Sequence, residues 1–206
     1  MSSWYGVNAN SDPGLTLAQR QNNAMIITGF FRDLGWTDNA IAGMLGNMDV
    51  ESYLNPGQFQ NGYPMTYESQ GGFGLVQWTP VSKFASWAGQ YWQSDYNRQL
   101  YRIRAEWQGI YQQWVPRAGY TMTFMEYSRS TDTPASLAMA FFWCYEYGTP
   151  LESQRTAAAN YWYEYITGTP APPLPPDPVY TSLPKWLFCK IVLTNRRDSN
   201  GRPDLL

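Results

Sequence analysis

Carboxylates are the residues of this chain best suited to acid–base chemistry. The sequence contains no histidine, which excludes hydrolysis by Ser-His-Asp or Cys-His arrangements and every histidine-ligated metal site. Its two cysteines, Cys144 and Cys189, have no CxxC partner and cannot form a four-thiolate zinc site. Proton transfer therefore falls to the 16 Asp and Glu residues and to tyrosines, and we expect neither a metal nor a cofactor.

Glu51 differs from the other carboxylates in where the sequence pattern places it. Met44, Leu45 and Met48 recur at helical spacing, and at about 100° per residue Glu51 falls on the edge of their apolar stripe. It also lies at the expected C-terminus of that helix, where the macrodipole is negative. Partial burial and the dipole both disfavour the charged form, which suits a general acid. The alternative is a helix-end carboxylate that only hydrogen-bonds neighbouring backbone.

The remaining carboxylates divide into two groups. The larger group is predicted at helix caps or on solvated helix faces and is set aside. Its members are Asp33, Asp38, Asp95, Glu106, Glu126, Asp132, Glu152 and Glu164. The candidates for chemistry besides Glu51 are Asp12, Asp49, Glu68 and Glu146.

Helical periodicity and capping signals predict six or seven helices that would position these groups. The expected helices cover residues 21–34, 37–52, 79–90 and 95–114, a short stretch from 123, and residues 133–147 and 152–167. Two of them begin with an N-cap threonine followed by proline, at Thr79-Pro80 and at Thr133-Pro134. Between the second and third helices, residues 55–77 contain the turn signals Asn61-Gly62 and Gly71-Gly72, which predict a small β-hairpin. The fold class is therefore mainly helical α+β.

Composition divides the chain into three segments. Residues 1–168 contain the predicted helices and form the expected globular domain. Residues 169–184 are proline-rich and predict a stiff, extended linker. Residues 185–206 form a basic tail with an apolar run that could dock on a partner, contact a membrane surface or fold back as a strand.

Charge and hydropathy argue against two classes of partner. Residues 1–184 carry 9 basic and 14 acidic groups, and residues 185–206 carry 5 basic and 2 acidic groups, so no concentrated cationic face for nucleic acid is expected. The richest apolar run, residues 137–144, is far shorter than the roughly 20 residues of a membrane span. The first residues lack the pattern of a secretion signal, so we expect any export to use another route.

Aromatic residues make up 17% of the chain, including 10 Trp and 16 Tyr. Flat aromatic rings with a polar rim can stack on the apolar C–H faces of sugar rings, although most aromatic residues in proteins pack in the hydrophobic core. The composition favours a mainly aromatic core with some rings facing a ligand.

The sequence around Glu51 resembles a known family. The residues that carry the resemblance are Ala42-Gly43-Met44-Leu45-Gly46-Asn47-Met48-Asp49-Val50-Glu51-Ser52, then Asn55-Pro56-Gly57, and then Gly72-Phe73-Gly74-Leu75-Val76-Gln77-Trp78-Thr79-Pro80. Together with Tyr145-Glu146 and Tyr161-Trp162-Tyr163, they resemble the phage tail lysozyme family over about residues 20–168. The order Glu-Ser, Gly-Leu-x-Gln and a tyrosine-containing helix is also similar to goose-type lysozymes and lytic transglycosylases.

The resemblance implies a lysozyme-like helical domain with a small β-hairpin lobe and a cleft for the glycan strands of bacterial peptidoglycan. It implies that Glu51 is the general acid, that Gly74 and Gln77 line the cleft floor, and that Tyr145 orients the acid or contacts the substrate. Tyr63 and Phe73 are expected to stack on sugar rings or to form the hairpin's own core. The full expected substrate-binding set is Asn47, Tyr63, Phe73, Gly74, Gln77, Tyr145 and Glu146.

Because the resemblance is to the phage family first, it favours hydrolysis of the bond between N-acetylmuramic acid and N-acetylglucosamine, and most glycosidases pair the acid with a second carboxylate. Glu68, just before Gly71-Gly72, is the preferred candidate, with Asp49 behind it, although a solvated loop acid is the competing interpretation of Glu68. Without a second carboxylate, the same bond would be cleaved by lytic transglycosylation.

The sequence also leaves other functions to consider and indicates a location. A wall-binding tail component is the non-catalytic alternative, whereas an amidase or endopeptidase is disfavoured without histidine. The resemblance places the protein in the phage virion or in the host cell after release. The basic tail is a candidate contact with other phage tail proteins.

Overall fold

The domain is mainly helical, as the sequence predicts. The computed structural model describes residues 3–168, so the predicted linker and tail, and Cys189 within the tail, lie outside the described residues. The helices in chain order are α1 (Leu17–Asp33), α2 (Asp38–Ser52), α3 (Ser82–Ala88), α4 (Asn97–Trp107), α5 (Phe124–Arg129), α6 (Pro134–Phe141) and α7 (Glu152–Thr167). A 3₁₀ turn (Gly89–Tyr91) follows α3, and a π-helix (Phe142–Glu146) continues α6. None of the described helices is both long and apolar enough to cross a membrane.

Local capping explains most of the helix starts. The Thr37 hydroxyl accepts a hydrogen bond from the backbone N–H of Ala40 and begins α2. Thr123 and Glu126 form a reciprocal capping box at α5, and Thr133 caps α6 with Pro134 in its first turn. The predicted Thr133-Pro134 cap is confirmed, and the helices predicted from residues 37 and 123 begin at the other two caps.

Helix α2 is the centre of the fold, and it packs most extensively against α7 and then α6. Two glycines allow this close approach. A Cβ added to Gly43 would lie 2.9 Å from the backbone of α6, and one added to Gly46 would lie 2.7 Å from the carbonyl oxygen of Arg155 in α7. Because α2 is enclosed by these helices, nearly all of its side chains are buried, and Glu51 is an exception.

The described segment between α2 and α3, where a β-hairpin was predicted, contains antiparallel bridges but no continuous strands. Its described residues make only isolated bridges, which pair Gln58 with Ala9 and pair Phe73 with both Phe59 and Trp78. Aromatic packing holds the segment together, because the Phe73 ring centroid lies 4.8 Å from that of Phe59 and 4.9 Å from that of Trp92. The small β-lobe is therefore not confirmed.

Several helix boundaries differ from the prediction, which placed the start of the first helix near residue 21, whereas α1 begins at Leu17 after the Thr16 cap. The Thr79 hydroxyl donates to the carbonyl oxygen of Gln77 instead of capping a helix, and α3 begins later, at Ser82. Helix α4 ends at Trp107 because Gly109 adopts a left-handed φ of 76°. Ile110, which lies within the predicted range 95–114, is consequently outside the helix and is 64% exposed.

Candidate functional site

Glu51 lies at the last turn of α2 and forms an ion pair with a buried arginine. Its Oε1 accepts a hydrogen bond from Nη2 of Arg155 at 2.8 Å. The Glu51 side chain is 16% exposed, and that of Arg155 is 3% exposed. The carboxylate can therefore be reached from solvent, while the cation behind it cannot.

Arg155 is fixed by four separate contacts. Besides Glu51, its guanidinium donates through Nη1 to Oδ1 of Asn47 at 2.8 Å and through Nε to the carbonyl oxygen of Pro150 at 2.9 Å. Its Cζ lies 4.6 Å from the centroid of the Phe142 ring, a cation–π arrangement. The planar fork of an arginine is suited to this set of partners, and it leaves the group little freedom to turn.

Asn47 supports this cation from within the core. It is fully buried, and its Nδ2 donates to the carbonyl oxygens of Gly43 at 2.9 Å and Ala138 at 2.8 Å. These two bonds orient the amide so that its oxygen faces Arg155. The structure thus brings the predicted residues Asn47 and Glu51 together through Arg155, and all polar atoms of the Asn47 side chain are used inside the protein.

The Gly-Leu-x-Gln motif is hydrogen-bonded to the end of α2. The hydroxyl of Ser52, next to Glu51, donates to the carbonyl oxygen of Leu75 at 3.0 Å. Gly74 has a φ of 83°, and a Cβ there would lie 2.6 Å from Oε1 of Gln99, which leaves room only for glycine. Gln77 also has a positive φ, 49°, and its Nε2 donates to the carbonyl oxygens of Gln58 and Gly74. The two motifs are therefore adjacent, as the family resemblance implies.

Three predicted residues of the loop differ in their access to solvent. Phe73 is fully buried, so its ring packs within the protein's aromatic core. Tyr63 is half-buried, and its ring packs over Gly71, where a Cβ would lie 2.6 Å from Cγ of Tyr63. Glu68 is exposed. Of these three, Tyr63 and Glu68 are accessible to a ligand.

Tyr145 makes a different contact from the expected one. Its hydroxyl donates to Oε2 of Glu106, not to Glu51. Burial raises the pKa of Tyr145 well above its ordinary value of 10, and the negative charge of Glu106 adds to the shift. The neighbouring Glu146 is buried at the end of the π-helix.

The predicted position of Glu106 on a solvated helix face is wrong. It was expected on a solvated face, but it is 3% exposed and lies within a polar cluster. Its Oε1 accepts from Nε of Arg102 at 2.7 Å and from Nε1 of Trp78 at 3.2 Å. Through Trp78 and Tyr145, this carboxylate connects the Gly-Leu-x-Gln-Trp loop to the π-helix.

Asp49 is also fully buried. Arg20 donates to its Oδ1, and Nε1 of Trp162 donates to its Oδ2 at 3.1 Å. Both oxygens are therefore engaged in the core, between α1, α2 and α7. Within residues 3–168, no group of three or more Asp, Glu, Cys or His side chains is arranged to hold a metal ion.

Sequence reasoning missed Arg155, although a signal was present. Arg155 precedes Ala158 and Trp162 at the i, i+3 and i+7 spacing of the buried stripe of α7, so its position faces inward. A buried arginine requires a partner, and that requirement could have directed attention to the carboxylates of α2.

Comparison with known proteins gives a family match and a relative of known name. The family model described as phage tail lysozyme matches residues 22–166. The chain is also 39% identical over 157 residues to morphogenesis protein 1 of Bacillus phage B103. That match covers 75% of this chain and 42% of the relative, so the chain spans less than half of the length of that protein.

Proposed function

The chain belongs to the phage tail lysozyme family, and on that premise we propose that it cleaves the glycan backbone of peptidoglycan. Cleavage is proposed at the bond between N-acetylmuramic acid and N-acetylglucosamine, with Glu51 as the general acid. The observation that carries this proposal is the position of Glu51 within the family match, at a solvent-accessible helix end with a buried arginine behind it.

In the proposed reaction, Glu51 donates a proton to the glycosidic oxygen as the bond to the anomeric carbon breaks. The leaving sugar departs as an alcohol, and the remaining sugar develops positive charge. Water then adds to the anomeric carbon, and the proton that it loses passes to a carboxylate, so that Glu51 is protonated again for the next cycle. The net reaction is hydrolysis and produces one new reducing end.

Glu68 is our candidate for the second carboxylate, acting either on the sugar or on the attacking water. Its exposure on the loop before Gly71 permits contact with a substrate. Asp49 is a poorer candidate because both of its oxygens are bonded inside the core. If neither residue acts, the sugar's own groups complete the reaction, and the product is an anhydro sugar.

Substrate binding is proposed along the loop that Ser52 fastens to α2. Tyr63 can stack on a sugar face, and Gly74 and Gln77 form the floor of the cleft. Asn47, Phe73 and Tyr145 are proposed to contribute indirectly, because their side chains are engaged with other parts of the protein. Glu146 remains in the proposed binding set.

The name of the relative from phage B103, a morphogenesis protein, supports a place in the virion, and we propose the phage tail as the location. The same name favours a second candidate function, a structural tail component that binds the wall without cutting it. A pure binder would gain nothing from a partly enclosed carboxylate paired with a buried arginine, since burying both charges costs free energy.

The test compares the protein with Glu51→Gln, which is nearly isosteric but does not donate the proton. We expect the unmodified protein to release soluble fragments from purified peptidoglycan and Glu51→Gln to release none while still folding. Asp33→Asn, which alters an exposed carboxylate of α1, is the matched control and should retain full activity. Sedimentation with the wall and no release by the unmodified protein would instead indicate the binding component.

A further inference from the structure

Arg155 connects the candidate acid to three parts of the fold, and this arrangement suggests a role beyond stability. We propose that Arg155 is a positioning residue for Glu51, which fixes the carboxyl group and stabilises the negative charge that forms as the proton leaves. The inference rests on the proposed function, because it concerns the same reaction.

The contacts of Arg155 hold its guanidinium in a fixed position next to Glu51. Arg155 extends from the first turn of α7 and bonds Asn47 and Glu51, which lie one turn apart on α2. Nε is held by the carbonyl oxygen of Pro150, and the Phe142 ring lies against the guanidinium. With its other donors engaged in this way, Nη2 has a fixed position and direction, and so has the carboxyl oxygen that it binds.

The positive charge of Arg155 acts directly on the carboxyl group of Glu51. Burial and the helix dipole by themselves disfavour a charged Glu51, and the Arg155 guanidinium opposes both effects. When protonated Glu51 gives up its proton it becomes a carboxylate, and the fixed cation beside it stabilises the charge that develops in the transition state. Since Arg155 is 3% exposed, water screens this interaction little. Arginine also keeps its charge at every relevant pH.

The chain contains a natural control for this ion pair. Arg32 bonds Asp38 at the start of α2 at 2.7 Å and the carbonyl oxygen of Ile166 near the end of α7 at 2.8 Å. It thus joins the same two helices at their opposite ends, away from Glu51. The Arg32 side chain is 39% exposed, so its loss reports on a more exposed contact between these helices, and thermal unfolding measures how far each variant weakens helix docking. An effect on the acid itself would appear only at Arg155.

The experiment measures kcat and KM on soluble, uncrosslinked glycan strands for Arg155→Met, Arg155→Lys and Arg32→Met. We expect Arg155→Met to lower kcat by about 10²-fold or more with little change in KM, as expected for a lost charge-stabilising donor. Arg155→Lys, which keeps the charge, should recover about tenfold of that loss, and Arg32→Met should retain kcat within about twofold. Circular dichroism and thermal unfolding report whether each variant is folded, and Arg155→Gln replaces Arg155→Met if the latter unfolds.

Three results would overturn the inference: an equal loss in Arg155→Met and Arg32→Met, a loss confined to KM, or no recovery of kcat with lysine. The outcome for Glu51→Gln separates this inference from the proposed function. If Glu51→Gln is inactive and Arg155→Met is fully active, only the role of Arg155 fails. If Glu51→Gln is active, the proposed function fails, whatever Arg155 does.

Discussion

Replacing Gly46 with alanine tests how closely the site depends on the contact between α2 and α7. A Cβ at this position would lie 2.7 Å from both the backbone nitrogen of Ala159 and the carbonyl oxygen of Arg155. Neither atom belongs to a flexible side chain that could turn away. The α7 backbone would have to shift, and Arg155 would shift with it.

The magnitude follows from two opposing contributions. Alanine in a helix interior is favoured over glycine by about 1 kcal/mol. Overpacking of a close-packed contact costs about 1–3 kcal/mol, and the upper end applies here because backbone must move. We therefore expect Gly46→Ala to lower the free energy of unfolding by about 1–2 kcal/mol net. Activity should fall further, by about 10- to 100-fold, because a displacement of about 1 Å at a catalytic group has effects of that size.

Gly29→Ala is the matched control. Gly29 is exposed in α1, and a Cβ there would meet nothing within 4 Å. Only the helix-propensity gain remains, so this variant should be more stable by about 1 kcal/mol with unchanged activity. Urea unfolding and fragment release from peptidoglycan provide the two measurements. A Gly46→Ala protein as stable and as active as Gly29→Ala would refute the packing argument.

Three further predictions concern the buried groups. Glu106→Ala should lower the free energy of unfolding by about 3–5 kcal/mol, because it leaves the buried guanidinium of Arg102 without its carboxylate partner. The control Asp95→Asn, at an exposed ion pair, should change the free energy of unfolding by less than about 1 kcal/mol. Equal effects of the two variants in chemical denaturation would contradict this prediction. Phe73→Ala should cost about 3–5 kcal/mol as a core truncation, and a loss below about 1 kcal/mol would mean that the ring is not in the core. Burial raises the pKa of Tyr127 and Tyr145 well above 10, so above about pH 10 the unfolded chain alone releases these protons. The free energy of unfolding should then fall by about 1.4 kcal/mol per pH unit for each tyrosine, and less steeply in Tyr127→Phe. Tyrosinate absorbance of the folded protein measures the same effect, and complete ionisation near pH 10 without unfolding would contradict it.

Helix starts and stops were predictable where the signal is local. Thr37, Thr123 and Thr133 each cap a helix through a hydroxyl and a backbone N–H only three residues away. Gly168 ends α7 with a φ of 73°, as a glycine after the last periodic residue suggests. These signals depend on few neighbours, but they are not infallible: at Thr79-Pro80 the same cap-plus-proline signal does not begin a helix, because the Thr79 hydroxyl bonds the carbonyl oxygen of Gln77.

The prediction failed where tertiary contacts decide the outcome. In residues 55–77, the aromatic and glycine residues typical of a hairpin pack around Phe73 and form only isolated bridges, so the hairpin is not confirmed. At the end of α4, the apolar period continues past Trp107, but the left-handed conformation of Gly109 ends the helix. Periodicity alone could not show which of these competing signals prevails.

Local sequence was enough to propose Glu51 as the acid, but not to identify the residues that contact it. Glu51 could be selected from its own helix, because the stripe and the helix end are both local features. Its partner Arg155 is 104 residues away, and the partners Glu106 and Tyr145 are 39 residues apart. A helical pattern shows that such a residue faces inward, but only the assembled fold shows which residue it meets.

The most direct test of glycan cleavage by Glu51 is mass spectrometry of peptidoglycan digested in ¹⁸O-labelled water. Hydrolysis with Glu51 as the acid predicts new reducing-end sugars carrying one ¹⁸O atom, at a yield that disappears in Glu51→Gln and persists in Asp33→Asn. Anhydro ends without label would retain Glu51 as the acid and replace hydrolysis by transglycosylation. Labelled reducing ends released equally by Glu51→Gln would contradict the central claim.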